Sequence, residues 1–277
     1  MRRIAVTLLV ASMSGIALYG QTGAPSLDVV GIRIGMSVKE AAAALKAANP
    51  RLMLAPGTHA LEGFAQPLLF TIIGNEAAVI GPDGVMTRAQ ETISLLFTTP
   101  PSPEVVWGVK RVYNFVPKER PEMQNMLDAL RKKYGPESLP ATSDRRDLSK
   151  YVAWVFDAQG KPMGPSGAAL NTTCAPWVNG HFGGGDDPTL NEIHSGRPSG
   201  PPQCQSLTII NANVLGTLTD QSNFNSTMVV SGLVVQITDG SRHRASVDAT
   251  RAVALGAQKS REDKEDETIK KRPPPKI

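Results

Sequence analysis

Two cysteines bracket most of the least regular part of this 277-residue chain. From Gly160 to Pro202 the sequence is dense in Gly and Pro, and Cys174 and Cys204 close most of that stretch into a loop. A structureless insertion this long is unusual inside a compact domain. A disulfide would make it tolerable, because closing a loop of about 31 residues stabilises a fold by roughly 3.5 kcal/mol in the chain-entropy account. Neither Cys has a second Cys or a His at the usual spacing of a zinc site. The even pair therefore reads as one disulfide, formed where thiols oxidise.

The N-terminus agrees with that compartment. In MRRIAVTLLVASMSGIALYGQ, Arg2 and Arg3 precede an uncharged, mostly apolar run from Ile4 to Ala17. Small residues follow, which is the layout of a secretory signal peptide over residues 1–20. The run is shorter than the roughly 20 apolar residues a membrane-spanning helix needs. No later segment is apolar enough to span a bilayer, so no integral membrane segment is expected once the signal is removed. The net charge of +4 falls to +2 without Arg2 and Arg3. A balance that small, with no concentrated basic face, argues against nucleic acid as a partner. A periplasmic or secreted location is expected.

Hydrophobic residues make up 41% of the chain and charged residues 19%, a globular composition. Periodicity divides it into helices and strands. Ser37 followed by Glu40 is a capping box, and Val38, Ala41, Ala42 and Leu45 then share a helical face that Asn49-Pro50 terminates. Residues 67–73 read as a buried strand. Residues 91–98 and 105–115 alternate as a hairpin around the turn TPPSPE, with Trp107, Val109, Tyr113 and Phe115 on one face and Arg111 among them. A second helix from about Pro121 to Tyr134 ends at Gly135-Pro136. Strands follow at 151–157, 206–215 and 228–238. Helix then strands, twice over, predicts an α+β fold with antiparallel sheets. The order allows two degenerate halves, 21–118 and 119–257, the second carrying the insertion 160–203. Residues 242–257 suit a helix with Ala245, Ala249, Ala252 and Val253 inward. Residues 258–277 are charged and then Pro-rich, and are expected to be disordered or a frayed helix.

The pattern Gly31-x-x-x-Gly35-Met36-Ser37-x-x-Glu40, together with Lys133-Tyr134-Gly135-Pro136 at the exit of the second helix, resembles small bacterial envelope modules. These are the outer-membrane assembly lipoproteins of the SmpA/OmlA type and the β-lactamase-inhibitor-like tandem folds. The resemblance implies helices paired with a short antiparallel sheet, and a role in binding other proteins. It carries over no catalytic residue. The chain has no Cys near the signal end to hold a lipid, so the resemblance does not extend to a membrane anchor.

The stretch NGHFGGGDDPTLNEIH, residues 179–194, holds the residue types of a metal site: His181, Asp186, Asp187, Glu192 and His194. Imidazole with carboxylate suits zinc or manganese. Its spacing matches no zinc or calcium motif, and Gly183 to Gly185 loosen the backbone. A solvated loop is the expectation, with no metal and no cofactor assigned. His59 and His243 stand alone in sequence and read as surface or capping residues. No nucleophile elbow or phosphate-binding loop occurs. Arg111 is expected at a sheet edge or paired with a carboxylate such as Glu91 on the partner strand. Trp107 and Trp154 are expected in the core, and Trp177 against the disulfide. Trp177, Phe182 and Arg111 are the candidate contact residues. The expected function is a non-enzymatic exported protein that binds another envelope protein. The alternatives are a metal-dependent hydrolase using the 179–194 loop and a small-ligand binder with an apolar groove between helix and sheet.

Overall fold

The computed structural model describes residues 27–141, 148–182, 188–198, 200–223 and 225–272. The expected signal segment and the pair Asp186 and Asp187 lie outside them. The elements in order are β1 (Asp28–Val29), β2 (Ile32–Arg33), α1 (Val38–Ala48), β3 (Met53–His59), β4 (Leu68–Glu76), β5 (Val79–Ile80), β6 (Met86–Arg88), β7 (Gln90–Phe97) and β8 (Val106–Asn114). Then come α2 (Met123–Tyr134), β9 (Lys150–Phe156), α3 (Gly167–His181), α4 (Pro188–Ser195), β10 (Thr208–Leu218), β11 (Met228–Asp239) and α5 (Gly240–Lys270). The fold is α+β.

Seven strands form one antiparallel sheet in the order β3-β4-β7-β8-β11-β10-β9. The last strand of each run, β8 and β11, meet at its centre, and each meander runs outward from there. At one edge, β9 is capped by bridges from Leu139 and Pro162. The other edge is β3, whose interruption by Pro56 and Gly57 hid it from periodicity; Pro is tolerated on an edge because no inner neighbour needs its missing donor.

Helices cover both faces. On one, Ala41 and Leu45 of α1 and Leu127, Leu130 and Tyr134 of α2 pack on Ile93, Leu95, Trp154 and Ile210. The capping box forms as expected: Ser37 Oγ accepts from Glu40 N, and Glu40 Oε2 accepts from Ser37 N at 2.9 Å. The opposite face carries α3 and the disulfide over Leu96, Trp107, Val155 and Ile209, with α4 and α5 contributing Ile193 and Val247 over Leu68 and Phe70.

Two sequence expectations change here, and a third is narrowed to one of its alternatives. The insertion 160–203 is mostly helical, with α3, α4 and short 3₁₀ turns at Gly164–Ser166 and Pro202–Ser206. Its helices draw on buried Cys174, Trp177, Val178 and Ile193 rather than on propensity. Residues 258–270, expected to be disordered or a frayed helix, take the helical alternative: they continue α5 to Lys270, with exposed side chains. The inward face of α5 is His243, Ser246, Val247 and Thr250, not the alanines; Ala245 and Ala252 are exposed. That face is polar because it meets a polar partner. Thr99 N donates to Ser246 Oγ at 2.7 Å, the Thr99 and Thr250 hydroxyls lie 2.7 Å apart, and Thr250 Oγ1 donates to Pro100 O at 2.8 Å.

A further correction concerns Trp107. It was expected on the same strand face as Val109, yet Val109 packs with α1 and α2 while Trp107 packs with α3. The cause is a β-bulge: Leu96 faces Gly108 and Phe97 faces Val106, so no β7 residue is left for Trp107. The extra residue reverses the alternation and turns the indole to the other layer.

Candidate functional site

The bulge brings Trp107 beneath the junction of α3, α4 and α5. On α3, Cys174, Trp177 and His181 follow at spacings of three and four, one above another on a single face. The Cys174–Cys204 disulfide, with sulfurs 2.05 Å apart, ties that face to the 3₁₀ turn before β10. Trp177 lies in the same buried cluster as both cysteines, as expected, and is 4% exposed.

His181 completes the face. Its Nδ1 is 3.0 Å from the Trp177 carbonyl oxygen, one turn back. A carbonyl only accepts, so Nδ1 carries the hydrogen and Nε2 of the neutral ring presents a lone pair. That Nε2 is buried without a hydrogen-bond partner and lies 3.6 Å from Glu192 Oε1. On the other carboxylate oxygen, Glu192 Oε2 accepts from His243 Nε2 at 2.8 Å. The side chains of His181, Glu192 and His243 are 2%, 3% and 2% exposed. Burial, reinforced by His243 close by, pushes the His181 imidazole down to about 4, so the ring is neutral at pH 7. Aromatic rings enclose the group. Trp107 lies 4.1 Å from the His243 ring and meets His181 edge-on at 5.1 Å, and Trp177 stands 5.1 Å from His181.

This constellation differs from the one the sequence suggested. His181 and Glu192 are in it, but His194 is not: two residues beyond Glu192 on α4, it points the opposite way and is exposed. His243, expected on the surface, takes its place. The signal that could have found His243 was its spacing with Val247 and Thr250 along one helical face. His59 is half-buried and meets Phe70 edge-on at 5.3 Å.

Arg111 does find Glu91 on the neighbouring strand, with Nε 2.7 Å from Oε1, and its guanidinium lies over Tyr113. Glu91 and Glu76 face each other across β7 and β4, and the Asn49 amide donates to both, at 2.8 and 2.6 Å. These groups border a polar cleft of about 480 Å³ together with Arg51 and Arg88. Phe182 is half-buried against Gly108, with Lys110 Nζ 5.9 Å from its ring centre.

Exposed apolar side chains recur from β3 to the β5–β6 hairpin. Met53 is 70% exposed and Ile80 57% exposed, and Ile73, Val79 and Val85 are exposed with them, all on β3 to β6 and the turn between. Among the described residues, no helix is long and apolar enough to cross a membrane. No known family model matches the chain, and no curated protein or solved structure matches it.

Proposed function

We propose that this is a non-enzymatic exported protein that binds another protein of the cell envelope, through the β3–β6 corner of its sheet. The observation that carries this reading is the set of exposed apolar side chains from β3 to β6: Met53 on the edge strand, which has no described partner on its outer side, Ile73 on β4, and Val79, Ile80 and Val85 on the separate β5–β6 hairpin. Apolar side chains with charge beside them suit protein contact, and Arg88 pairs with Val79 across β5 and β6. The signal-like sequence at residues 1–20 and the disulfide-bonded cysteine pair are the support for an envelope address. The alternatives have less support. Of the residues the hydrolase reading uses, His181 is buried and His194 is exposed on the other side of α4, while Asp186 and Asp187 lie outside the described residues. The space between α1, α2 and the sheet is filled by Leu45, Leu127, Leu130 and Tyr134.

Photo-crosslinking in intact envelopes tests the reading. A crosslinker at Met53 or Ile80 is expected to give one discrete protein adduct, lost in an Ile73→Lys background that keeps its fold. A crosslinker at Glu262 on α5 serves as the control. Identical adducts from all three positions would refute the assignment of the corner.

A further inference from the structure

We infer that His181, Glu192 and His243 form a closed binding site for one divalent transition-metal ion of the zinc class, clamping α3, α4 and α5 over Trp107. The inference is independent of the partner proposed above.

It starts from an electrostatic mismatch. His181 gives its Nδ1 hydrogen to Trp177 O, so its Nε2 lone pair, which has no hydrogen-bond partner, looks toward Glu192 Oε1 across 3.6 Å. Two acceptors facing each other in a buried site repel, and a buried unsatisfied acceptor is costly. A cation between them removes both problems. The backbone bond from Nδ1 is also the outer-shell contact that fixes ring orientation in metal-binding histidines.

The spacing fits as well. One ligand atom from each of the three residues lies within 4.8 Å of the others. Zinc with bonds of about 2.0–2.1 Å in tetrahedral geometry sets its ligands about 3.3 Å apart, between the 2.8 and 3.6 Å found here. Two imidazoles and one carboxylate favour zinc-class ions over calcium or magnesium, which prefer all-oxygen sites. For His243 Nε2 to ligate the ion, the hydrogen it donates to Glu192 must pass to Nδ1, so that the ring binds as its other neutral tautomer. Three residues leave the fourth position to the second Glu192 oxygen or a water, and the burial of all three side chains sets the site apart from a catalytic centre open to substrate.

Untagged full-length protein, stripped with EDTA, is titrated with cobalt(II), whose visible spectrum reports coordination. One equivalent is expected to bind with four-coordinate absorption, and zinc to displace it. His181→Gln or Glu192→Gln should weaken binding at least about 100-fold, more than the loss typical of an outer-shell change. His59→Gln/His194→Gln should leave it unchanged. Should the core variants not fold, nitrogen-15 histidine spectra of the wild-type chain decide: zinc should move the His181 and His243 signals and leave His59 and His194 in place. Absence of stoichiometric uptake, as expected if a water or a proton satisfies the cluster, would overturn the inference. So would uptake that survives His181→Gln in a folded chain, or zinc shifts confined to His59 and His194.

Discussion

His243 Nε2 lies 2.8 Å from Glu192 Oε2, a contact that spans 51 residues of sequence and joins the long C-terminal helix to the helix formed by the disulfide-bounded insertion. Two distant segments that each look solvated in the sequence are thus buried against one another. The Trp107 indole forms the floor of that contact, and it does so only because a bulge turns it out of its strand's alternation.

The hydroxyl contacts under α5 are expected to contribute measurably to its docking. Thr250→Val keeps the shape but removes the donor to Pro100 O and the contact with Thr99 Oγ1. Stability should fall by about 1–3 kcal/mol, the cost of leaving buried groups unpaired. A double-mutant cycle with Thr99→Val in urea unfolding should show a coupling above about 0.5 kcal/mol. Simple additivity would mean that the hydroxyls do not act on one another.

The disulfide should stabilise the second layer specifically. Reduction, or the Cys174→Ala/Cys204→Ala pair, is expected to lower the unfolding free energy by about 3.5 kcal/mol. Hydrogen exchange should speed up first in α3 and the turn at Pro202–Ser206, with α1 and α2 little changed. Uniform acceleration throughout the chain would contradict this localisation.

Glu76 titrates with help from its neighbours. Hydrogen bonds from Arg51 and then from Asn49 hold its carboxyl below the ordinary value despite burial. A carboxylate depressed in the folded state contributes stability above its unfolded pKa and loses it as pH falls through the lower folded one. Asn49→Leu should therefore raise the Glu76 midpoint in carbon-13 titrations and destabilise the protein by about 2–4 kcal/mol at pH 7, because two buried carboxylates lose a shared donor. An unchanged midpoint would show that Arg51 alone sets it.

Much of the fold was legible because local signals agreed with the tertiary outcome. Alternation marked β7 and β8, apolar runs marked β4 and β9 to β11, the Ser37–Glu40 box marked the start of α1, and Arg111 on an apolar strand pointed to Glu91. The rest depended on non-local forces. Asn171, Thr172, Thr173, Pro176 and Gly180 carry weak helix propensity, so α3 is visible only once the disulfide and Trp177 are in place. On α5, alanines suggested an inward face, but the partner was the hydroxyl-rich Thr99 segment, and the polar face won. The cluster itself was half-read. His181 and Glu192 stood together in the suspected stretch, whereas His243 needed the chain to return from the far side of two strands.

Diffraction at the zinc absorption edge from crystals grown with zinc is the most direct measurement. A single anomalous peak is expected among His181 Nε2, Glu192 and His243 Nε2, at about 2.0–2.2 Å from each ligand atom. A peak only at surface groups such as His194, with the buried cluster holding a water instead, would contradict the metal clamp.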